Sequence, residues 1–260
     1  KEKNITYLLA VGGGSVIDGT KYLAAAAKYN GEPWDILRKS VRTMEGQALP
    51  FATVLTLPAT GSEMNSGYVI SRRATQEKLS SGGPGLFPQV SVLDPEVIRS
   101  IPKNQIANGI TDAYTHVMEQ YMTYPIGATL QDRFAESILQ SLQEIAPKVM
   151  QEEFDYTAAG DFMWSCTMAL NGLIQQGVPS DWAVHAMGHE LTAYYGIDHA
   201  RTLAIIAPSH YRYNLESKKE KLAQYGERVW NITEGTTEEK ALKAIEKMEQ
   251  FFHSLGILTK

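Results

Sequence analysis

Histidine and aspartate residues recur at helical spacing in two separate stretches of the chain. Three of the six histidines, His185, His189 and His199, fall within fifteen residues, and the first two are four residues apart. Asp112 and His116 have the same spacing in ANGITDAYTHVMEQY, which places both side chains on one face of a helix. One carboxylate and two or three imidazoles from separate helices are the right number and type of ligands for a divalent metal, and they suit zinc or ferrous iron.

These residues also have ordinary structural interpretations. Taken alone, Asp112 and His116 would more often form a solvated or capped helix face than a ligand pair, and histidines can be buried in a core. The zinc-protease motif H-E-x-x-H is absent because Ala186 follows His185. With Cys166 as the only cysteine, a structural zinc site of the cysteine type is disfavoured. The metal hypothesis therefore depends on whether the fold brings the two stretches together.

Two turns rich in glycine or hydroxyl residues could bind a phosphate. The first, AVGGGSVIDGTK, matches neither the G-x-G-x-x-G fingerprint nor the P-loop pattern, but it combines an apolar strand, a glycine turn and a helix N-terminus. An ordinary αβ turn is the alternative, with Ser15 and Asp18 as a capping box. The second turn, TLPATGSEMNSG, follows a buried strand and offers Thr56, Thr60 and Ser62 where ligands of open α/β sheets bind. Its alternative is a capped helix start.

The order of apolar runs and turns predicts the elements that position these residues. In the first hundred residues ITYLLAV, LPFATVLTLP and QVSVLDP indicate strands, and VIDGTKYLAAAAKY indicates a helix, which is typical of βαβ units and a parallel sheet. From Gln105 onward the period is almost wholly helical. We therefore predict a boundary near residue 100, between an α/β part over residues 1–100 and an all-helical part over residues 101–260. Because sheets usually have ~4 to 6 strands, we expect further strands on the N-terminal side.

Composition limits the class of protein. With 260 residues, of which 43% are hydrophobic and 9% aromatic, the chain can bury a sizeable core. A net charge of −5, without a Lys/Arg run longer than two, disfavours a nucleic-acid partner. No apolar run approaches the ~18 residues of a membrane span, and the first residues do not have the pattern of a signal peptide. Cys166 lies among apolar residues and has no partner for a disulfide, so we expect a core thiol and a cytoplasmic protein.

Together these stretches resemble the iron-containing alcohol dehydrogenase family, and especially its bacterial NADPH-dependent aldehyde reductases and butanol dehydrogenases. The resemblance rests on GGGS with Asp18, TLPATGSE, KLSSGG, VLDP, ANGITDAYTHVMEQY and HAMGHELTAYYGIDHARTLA, and it covers residues 7 to about 257. The metal ligands that it implies are Asp112, His116, His185 and His199. By the same matching, His189 is a neighbour of the substrate and the nicotinamide. The cofactor-binding residues that it implies are Gly13, Gly14, Ser15, Asp18, Thr56, Thr60 and Lys78.

The resemblance also implies that residues 1–100 form a partial Rossmann-like nucleotide-binding domain and that residues 101–260 form an all-helical metal-binding catalytic domain. It further implies an activity. The expected reaction is reversible hydride transfer between NADP(H), or NAD(H), and a short- or medium-chain aldehyde, with Fe²⁺ or Zn²⁺ as a Lewis acid. His189 could relay a proton to the product alkoxide or could serve only in packing. We further expect a homodimer without nucleic-acid or membrane partners, and a flexible loop at SSGGPGLFPQ. The alternatives are a non-redox metal enzyme resembling dehydroquinate synthase, which would need a Lys/Arg cluster, and an inactive metal-binding fragment.

Overall fold

A three-stranded parallel sheet forms the first part of the protein. The computed structural model describes residues 4–260. Strands β1 (Leu8–Gly12), β2 (Phe51–Leu55) and β5 (Val90–Leu93), numbered along the chain, pair in the order β1-β2-β5, as the apolar runs predict. Both strand pairs are parallel, and the last residues of neighbouring strands are paired, so the carboxyl ends of the strands lie at one edge of the sheet. A ligand site of an open α/β sheet is expected at this edge.

Helix α1 (Gly14–Lys28) follows β1 directly and covers one face of the sheet. The alternation of side chains along β1 buries Ala10, which belongs to the same hydrophobic cluster as Ile17 of the helix. On the opposite face Leu9 is 64% and Val11 57% exposed. Among the described residues, one face of the sheet is therefore packed and the other is open.

Between β2 and β5 the chain forms an antiparallel hairpin that the sequence patterns did not predict. Strand β3 (Gly67–Arg72) pairs with β4 (Glu77–Gly82). Their connection contains no glycine, and Gln76 adopts the left-handed conformation with φ of 50°, so the usual hairpin signal is missing. SSGGPGLFPQ, which was expected to be a flexible loop, continues from β4 as packed structure. The N–H of Thr43 donates to the last carbonyl of β4, and Leu86 is fully buried.

After β5, residues 95–260 contain helices and no strand. This arrangement confirms the predicted fold class, an α/β part with a parallel sheet followed by an all-helical part. None of the helices in the described part of the chain is both long and apolar enough to cross a bilayer. The remaining helices are α2 (Asp35–Arg38), which precedes β2, and α3 (Lys103–Tyr121), α4 (Thr129–Val149), α5 (Tyr156–Ala169), α6 (Ala183–Tyr195), α7 (His199–Tyr213), α8 (Leu215–Trp230) and α9 (Thr237–Ser254).

Local signals at the helix ends explain several of these bounds. Asp155 caps α5 through its side chain, and Thr236 forms a capping box with Glu239 at the start of α9. Gly196 ends α6 in the left-handed conformation with φ of 68°, which favours glycine. The turn that follows allows α7 to begin at His199.

The α/β part and the helical part share one main hydrophobic core. Helix α3 is buried along most of its length and lies at the centre of this core. The same cluster includes Ile17 of α1 and Leu55 of β2. The sheet is thus packed on the helices, and the domain boundary near residue 100 stays a prediction.

Candidate active site

Four side chains from three helices converge at one point: Asp112 and His116 on α3, His185 on α6, and His199 at the start of α7. Helix α7 packs against both α3 and α6, which brings the distant sequence stretches together. The Nε2 atoms of His116 and His185 each lie 3.5 Å from Oδ1 of Asp112. Nε2 of His199 lies 3.7 Å from the same oxygen. Three imidazoles therefore surround a single carboxylate oxygen.

The chemistry of this group fits a divalent metal. Oδ1 of Asp112 and Nε2 of His185 are buried without a hydrogen-bond partner among the described residues. Leaving such a group unpaired costs ~1–3 kcal/mol, and a shared cation would satisfy both atoms. A tetrahedron with metal–ligand bonds of ~2.1 Å has edges of about 3.4 Å, close to the spacings found here. Ligand atoms of Asp112, His185 and His199 all lie within 4.8 Å of one another. His116 is not part of this mutually close set, but its Nε2 lies 3.5 Å from Oδ1 of Asp112.

Burial determines the protonation of most of these side chains. It lowers the pKa of His116 to about 4, partly opposed by Asp112, and it lowers the pKa of His199 well below the ordinary value. Both imidazoles are thus neutral near pH 7, which is the form that binds a metal. Burial would raise the pKa of Asp112, but the neighbouring histidines hold it below the usual range. Burial also lowers the pKa of His185, but contacts with Asp112 and Glu119 outweigh it and raise the value to about 9.

His189 lies one turn after His185 on α6, and unlike His116, His185 and His199 it has no ring nitrogen within 4.0 Å of the Asp112 carboxylate. Its ring centroid is 6.3 Å from that of His185 and 5.2 Å from that of His199. Burial and the positive charge of Lys78 lower the pKa of His189 to about 3. The distance of His189 from the proposed ligands agrees with its expected role beside the substrate. That role stays a prediction.

Sequence analysis missed a third residue on the ligand-bearing face of α3. Glu119 follows His116 by three residues and Asp112 by seven, so the helical spacing that indicated the ligand pair also extends to it. Its side chain is buried, and its carboxylate accepts the backbone N–H groups of Val184 at 2.6 Å and His185 at 3.1 Å. The same carboxylate contacts Nδ1 of the His185 ring.

The glycine turn lies at the carboxyl end of β1, where a phosphate site is expected. Gly13 is the N-cap of α1, and no side chain caps this end of the helix. The alternative interpretation of Ser15 and Asp18 as a capping box is therefore wrong. Ser15 is exposed, whereas Asp18 is buried against another element. The first amides of α1 lie at a helix N-terminus without a side-chain cap, which is suited to an anion.

Gly14 lies against the second turn, which follows β2. A Cβ atom at Gly14 would lie 2.6 Å from Cγ2 and 2.7 Å from Oγ1 of Thr60. The close approach of the two turns thus requires glycine here, independently of any phosphate. The N–H of Thr56 donates to the carbonyl of Gly12 at 3.1 Å, which joins the two turns at the end of the sheet. Gly13, Gly14, Thr56 and Thr60 are brought together, and their contact with a cofactor stays a prediction.

A buried polar network holds the second turn on α1, and sequence analysis missed its central residue. Asp18 accepts a hydrogen bond from Oγ of Ser62 at 2.6 Å and another from a backbone N–H of β3 at 2.9 Å. Nζ of Lys21 donates to Oγ of Ser62 at 2.8 Å, to Oδ1 of Asn65 at 3.0 Å and to the first carbonyl of β3 at 2.8 Å. Lys21 is completely buried, and burial lowers its pKa to about 8 against the attraction of Asp18. Only its place on the apolar face of α1 could have indicated this role.

The second turn is also attached to the metal-binding helices. A Cβ atom at Gly109, three residues before Asp112 on α3, would lie 2.4 Å from the carbonyl oxygen of Pro58. Glu63 accepts a hydrogen bond of 2.5 Å from Thr167 on α5. The predicted cofactor turn is therefore in direct contact with the helix that provides the carboxylate ligand.

Lys78 lies on β4, which packs against α6. Burial lowers the pKa of Lys78, while Asp112 and Asp18 oppose this shift. Its charge also acts on His189 and His199. Lys78 therefore lies close enough to influence both the metal group and the network beneath the glycine turn.

Comparisons with known proteins agree with this arrangement. The profile of iron-containing alcohol dehydrogenases matches residues 1–95, and that of the C-terminal part of the Fe-containing alcohol dehydrogenase family matches residues 106–260. The NADPH-dependent aldehyde reductase YqhD of Escherichia coli is 50% identical over 261 residues, which cover 100% of this chain and 67% of the relative. The probable NADH-dependent butanol dehydrogenase 1 of Bacillus subtilis is 45% identical over 98% of this chain and 66% of its own length. The chain thus spans about two thirds of the length of these relatives.

Solved structures give the same result. The crystal structure of Escherichia coli YqhD superimposes with a TM-score of 0.95 at 49% identity, covering 99% of this chain and 66% of that one. The NADH-dependent butanol dehydrogenase A of Thermotoga maritima superimposes with a TM-score of 0.94 at 33% identity, covering 99% of this chain and 64% of that one. From the glycine turn to the last helix, this chain belongs to the iron-containing alcohol dehydrogenase family.

Proposed function

We propose that the complete protein is a metal-dependent alcohol dehydrogenase or aldehyde reductase that transfers a hydride between NADP(H) and a short- or medium-chain aldehyde. The observation on which this proposal rests is the convergence of three imidazole Nε2 atoms on Oδ1 of Asp112, beside two turns at the carboxyl ends of parallel strands. Relatives at 50% and 45% identity are named as an aldehyde reductase and a butanol dehydrogenase. The metal and the cofactor would therefore meet between the two parts of the chain.

Asp112, His116, His185 and His199 would hold the metal, with Fe²⁺ or Zn²⁺ as the candidates for this donor set. When bound, the divalent ion supplies Lewis acidity at the carbonyl oxygen and the reduced nicotinamide supplies the hydride. The ligand side chains are 6 to 27% exposed, so they would exclude most water from that side of the reacting carbonyl. Lys78 would line the cleft and place a positive charge near the cofactor.

The glycine turn would bind the pyrophosphate of the cofactor. The uncapped amides at the start of α1 can donate to phosphate oxygens, and the helix dipole favours the negative charge. Thr56 and Thr60 lie beside these amides on the second turn. Asp18 would act indirectly, because both of its carboxylate oxygens already accept hydrogen bonds within the protein. Asp18, which was expected among the cofactor-binding residues, would thus support the second turn rather than contact the cofactor itself.

His189 is the histidine of α6 that does not contact Asp112 among the described residues. Its pKa of about 3 keeps the imidazole neutral near pH 7, so it would act as a relay: one ring nitrogen would take a proton from solvent as the other delivers one to the oxygen that gains charge when the hydride arrives. A pure packing role is the alternative, and the effect of a substitution on turnover distinguishes the two.

Several finer points belong to the same proposal. NADP(H) is favoured over NAD(H) because the relative at 50% identity is named as NADPH-dependent, although the relative at 45% is named as NADH-dependent. A comparison of the NADPH and NADH dissociation constants would decide between them. The homodimer and the cytoplasmic location stay predictions. Light scattering on the purified protein would measure the number of subunits.

Reduction of butanal by NADPH tests the proposed function, with the loss of absorbance of the reduced cofactor as the signal. The complete protein, loaded with Zn²⁺ or Fe²⁺, should reduce butanal, and Asp112→Asn should lose both metal and activity. Asp161→Asn, an exposed aspartate of α5, is the matched control and should retain both. A metal-loaded parent protein that leaves NADPH unoxidised would contradict the proposal. That result would favour the dehydroquinate synthase-like or inactive alternatives.

A further inference from the structure

Glu119 is buried in the helical part of the protein, where α3 meets the N-terminus of α6. Its side chain is 1% exposed, and its salt-bridge partner among residues 4–260 is His185. The backbone carbonyl of Glu119 also accepts the N–H of Asp181 at 2.9 Å, just before α6 begins. Glu119 thus fixes the start of the helix that bears His185.

The two carboxylate oxygens of Glu119 meet three donors. Oε1 accepts the N–H of Val184 at 2.6 Å, and Oε2 accepts the N–H of His185 at 3.1 Å. Oε2 also contacts Nδ1 of the His185 ring. A carboxylate can only accept hydrogen bonds, so Nδ1 of this ring must carry the proton. In the neutral ring, Nε2 is then left with its lone pair free.

This free lone pair points at the predicted metal position. Nε2 of His185 has no hydrogen-bond partner among the described residues and lies 3.5 Å from Oδ1 of Asp112. Nδ1 of His116 and Nδ1 of His199 are also without partners in that part of the chain. Glu119 therefore orients one of the three imidazoles, and the other two have no corresponding carboxylate.

We propose that Glu119 is a positioning residue that selects the metal-binding tautomer of His185 and aims its Nε2 atom. The inference rests on the proposed function, because it takes the metal site as given. Its basis is the single carboxylate that joins the first amides of α6 to the outer nitrogen of the His185 ring. A carboxylate on the outer nitrogen of a ligating histidine typically changes metal affinity 10–100-fold when it is removed.

Glu119→Gln in the complete protein tests this role with little change in side-chain volume. Glutamine has one acceptor oxygen, so its NH₂ group must face one of the three donors. When NH₂ faces Nδ1, the ring proton moves to Nε2 and the lone pair for the metal is lost. We expect the dissociation constant for Zn²⁺, measured by competition with a chelator, to rise ~10–100-fold. Glu119→Asp, which keeps the charge, should restore part of the affinity.

Glu136→Gln is the matched control. Glu136 is a buried carboxylate of α4 that bonds to Tyr121 and Arg228 and does not contact the metal group. We expect this substitution to lower the melting temperature and to leave the Zn²⁺ dissociation constant unchanged. An equal loss of Zn²⁺ affinity in Glu136→Gln and Glu119→Gln would overturn the proposal, because the effect would then be one of general stability.

The tautomer can also be measured directly, without any substitution at Glu119. In metal-free parent protein labelled with ¹⁵N-histidine and kept above the pKa of about 9 of the His185 ring, this ring is neutral; identified by its absence in His185→Ala, it should carry its one proton on Nδ1. A proton on Nε2 would overturn the inference even if Glu119→Gln did not fold. Failure of butanal reduction would remove the proposed function instead, and it would leave the tautomer and the Zn²⁺ affinities as a separate result.

Discussion

Replacement of Lys21 by methionine should destabilise the protein and loosen the second turn together. The ammonium group is completely buried and donates to Oγ of Ser62, to Oδ1 of Asn65 and to a backbone carbonyl of β3. Methionine fills a similar volume, so Lys21→Met should leave no cavity. It does remove the positive charge beside Asp18, and it leaves three acceptors without their donor. The cost is therefore mainly electrostatic.

The magnitude follows from this burial. Lys21 and Asp18 both bind the Ser62 hydroxyl and form no direct salt bridge among residues 4–260. Leaving buried acceptors without their donor usually costs ~1–3 kcal/mol, and for a chain of this size ~1 kcal/mol corresponds to roughly 2–4 °C in melting temperature, so we expect a decrease of about 2–12 °C. Lys28→Met is the matched control on the same helix. Lys28 is exposed and donates to one carbonyl, that of Gly46 at 3.0 Å, so its loss should change the free energy of unfolding by less than ~0.5 kcal/mol.

The assay combines unfolding in urea with titration of NADPH. Lys21→Met should lose stability and bind NADPH more weakly, since the turn that bears Thr60 is no longer held on α1. Addition of Asp18→Asn should restore part of the stability, because the second substitution removes the charge left unpaired by the first. Equal unfolding midpoints for Lys21→Met and Lys28→Met would refute the reasoning. The buried network would then contribute nothing to the position of the turn.

The remaining predictions concern the proposed ligands, the proposed proton relay, the glycine turn and pH. His199→Ala should lower metal content and activity together, since no neighbour can replace a lost ligand; full metal occupancy by elemental analysis would remove His199 from the site. His189→Ala should retain the metal and slow turnover ~10²–10⁴-fold, and loss of the metal would contradict the division between ligand and proton relay. Ser15→Ala should change the free energy of unfolding by less than ~0.5 kcal/mol, because Ser15 is exposed and caps nothing; a loss near 1 kcal/mol in thermal melts would restore the capping interpretation. Burial lowers the pKa of Lys21 from 10.5 to about 8, so between these pH values the unfolded chain keeps a proton that the folded protein has lost. The free energy of unfolding of the parent protein should therefore rise with pH in this window relative to that of Lys21→Met. If urea titrations give a constant difference between the two proteins across the window, the pKa of Lys21 is not shifted.

The sequence predicted those features that depend on short periodic patterns. Parallel strands were evident from apolar runs that end in turns, and the ligand helices from i, i+4 spacing. The spacing could not reveal that α7 would return His199 to Asp112, but Gly196 indicated the turn that makes this possible. Spacing alone does not say which of the four histidines bind the metal. The family resemblance supplied the choice of His116, His185 and His199 over His189.

Other features depend on contacts between distant segments, and these were missed or misjudged. Ser15 and Asp18 have the spacing of a capping box, but Ser62 and β3 bind Asp18 instead, so the tertiary contact replaces the local one. Lys21 looks like a surface lysine until α1 is seen to pack on the hairpin. Glu119 shares the face of α3 with the ligands, but its meaning depends on where α6 begins.

The contact between Gly109 and Pro58 has a consequence for exchanging parts among relatives. Gly109 has no Cβ atom, and this allows α3 to reach the backbone of the second turn at a point one helical turn before Asp112. Joining residues 1–95 of one relative to the helical part of another would preserve the approach of the second turn to α3 only if the helical part has glycine at this position. A methyl group there would meet the carbonyl oxygen of Pro58 and push the proposed cofactor turn away from the proposed metal ligand, so recombination of the two parts is limited by the clearance of one atom.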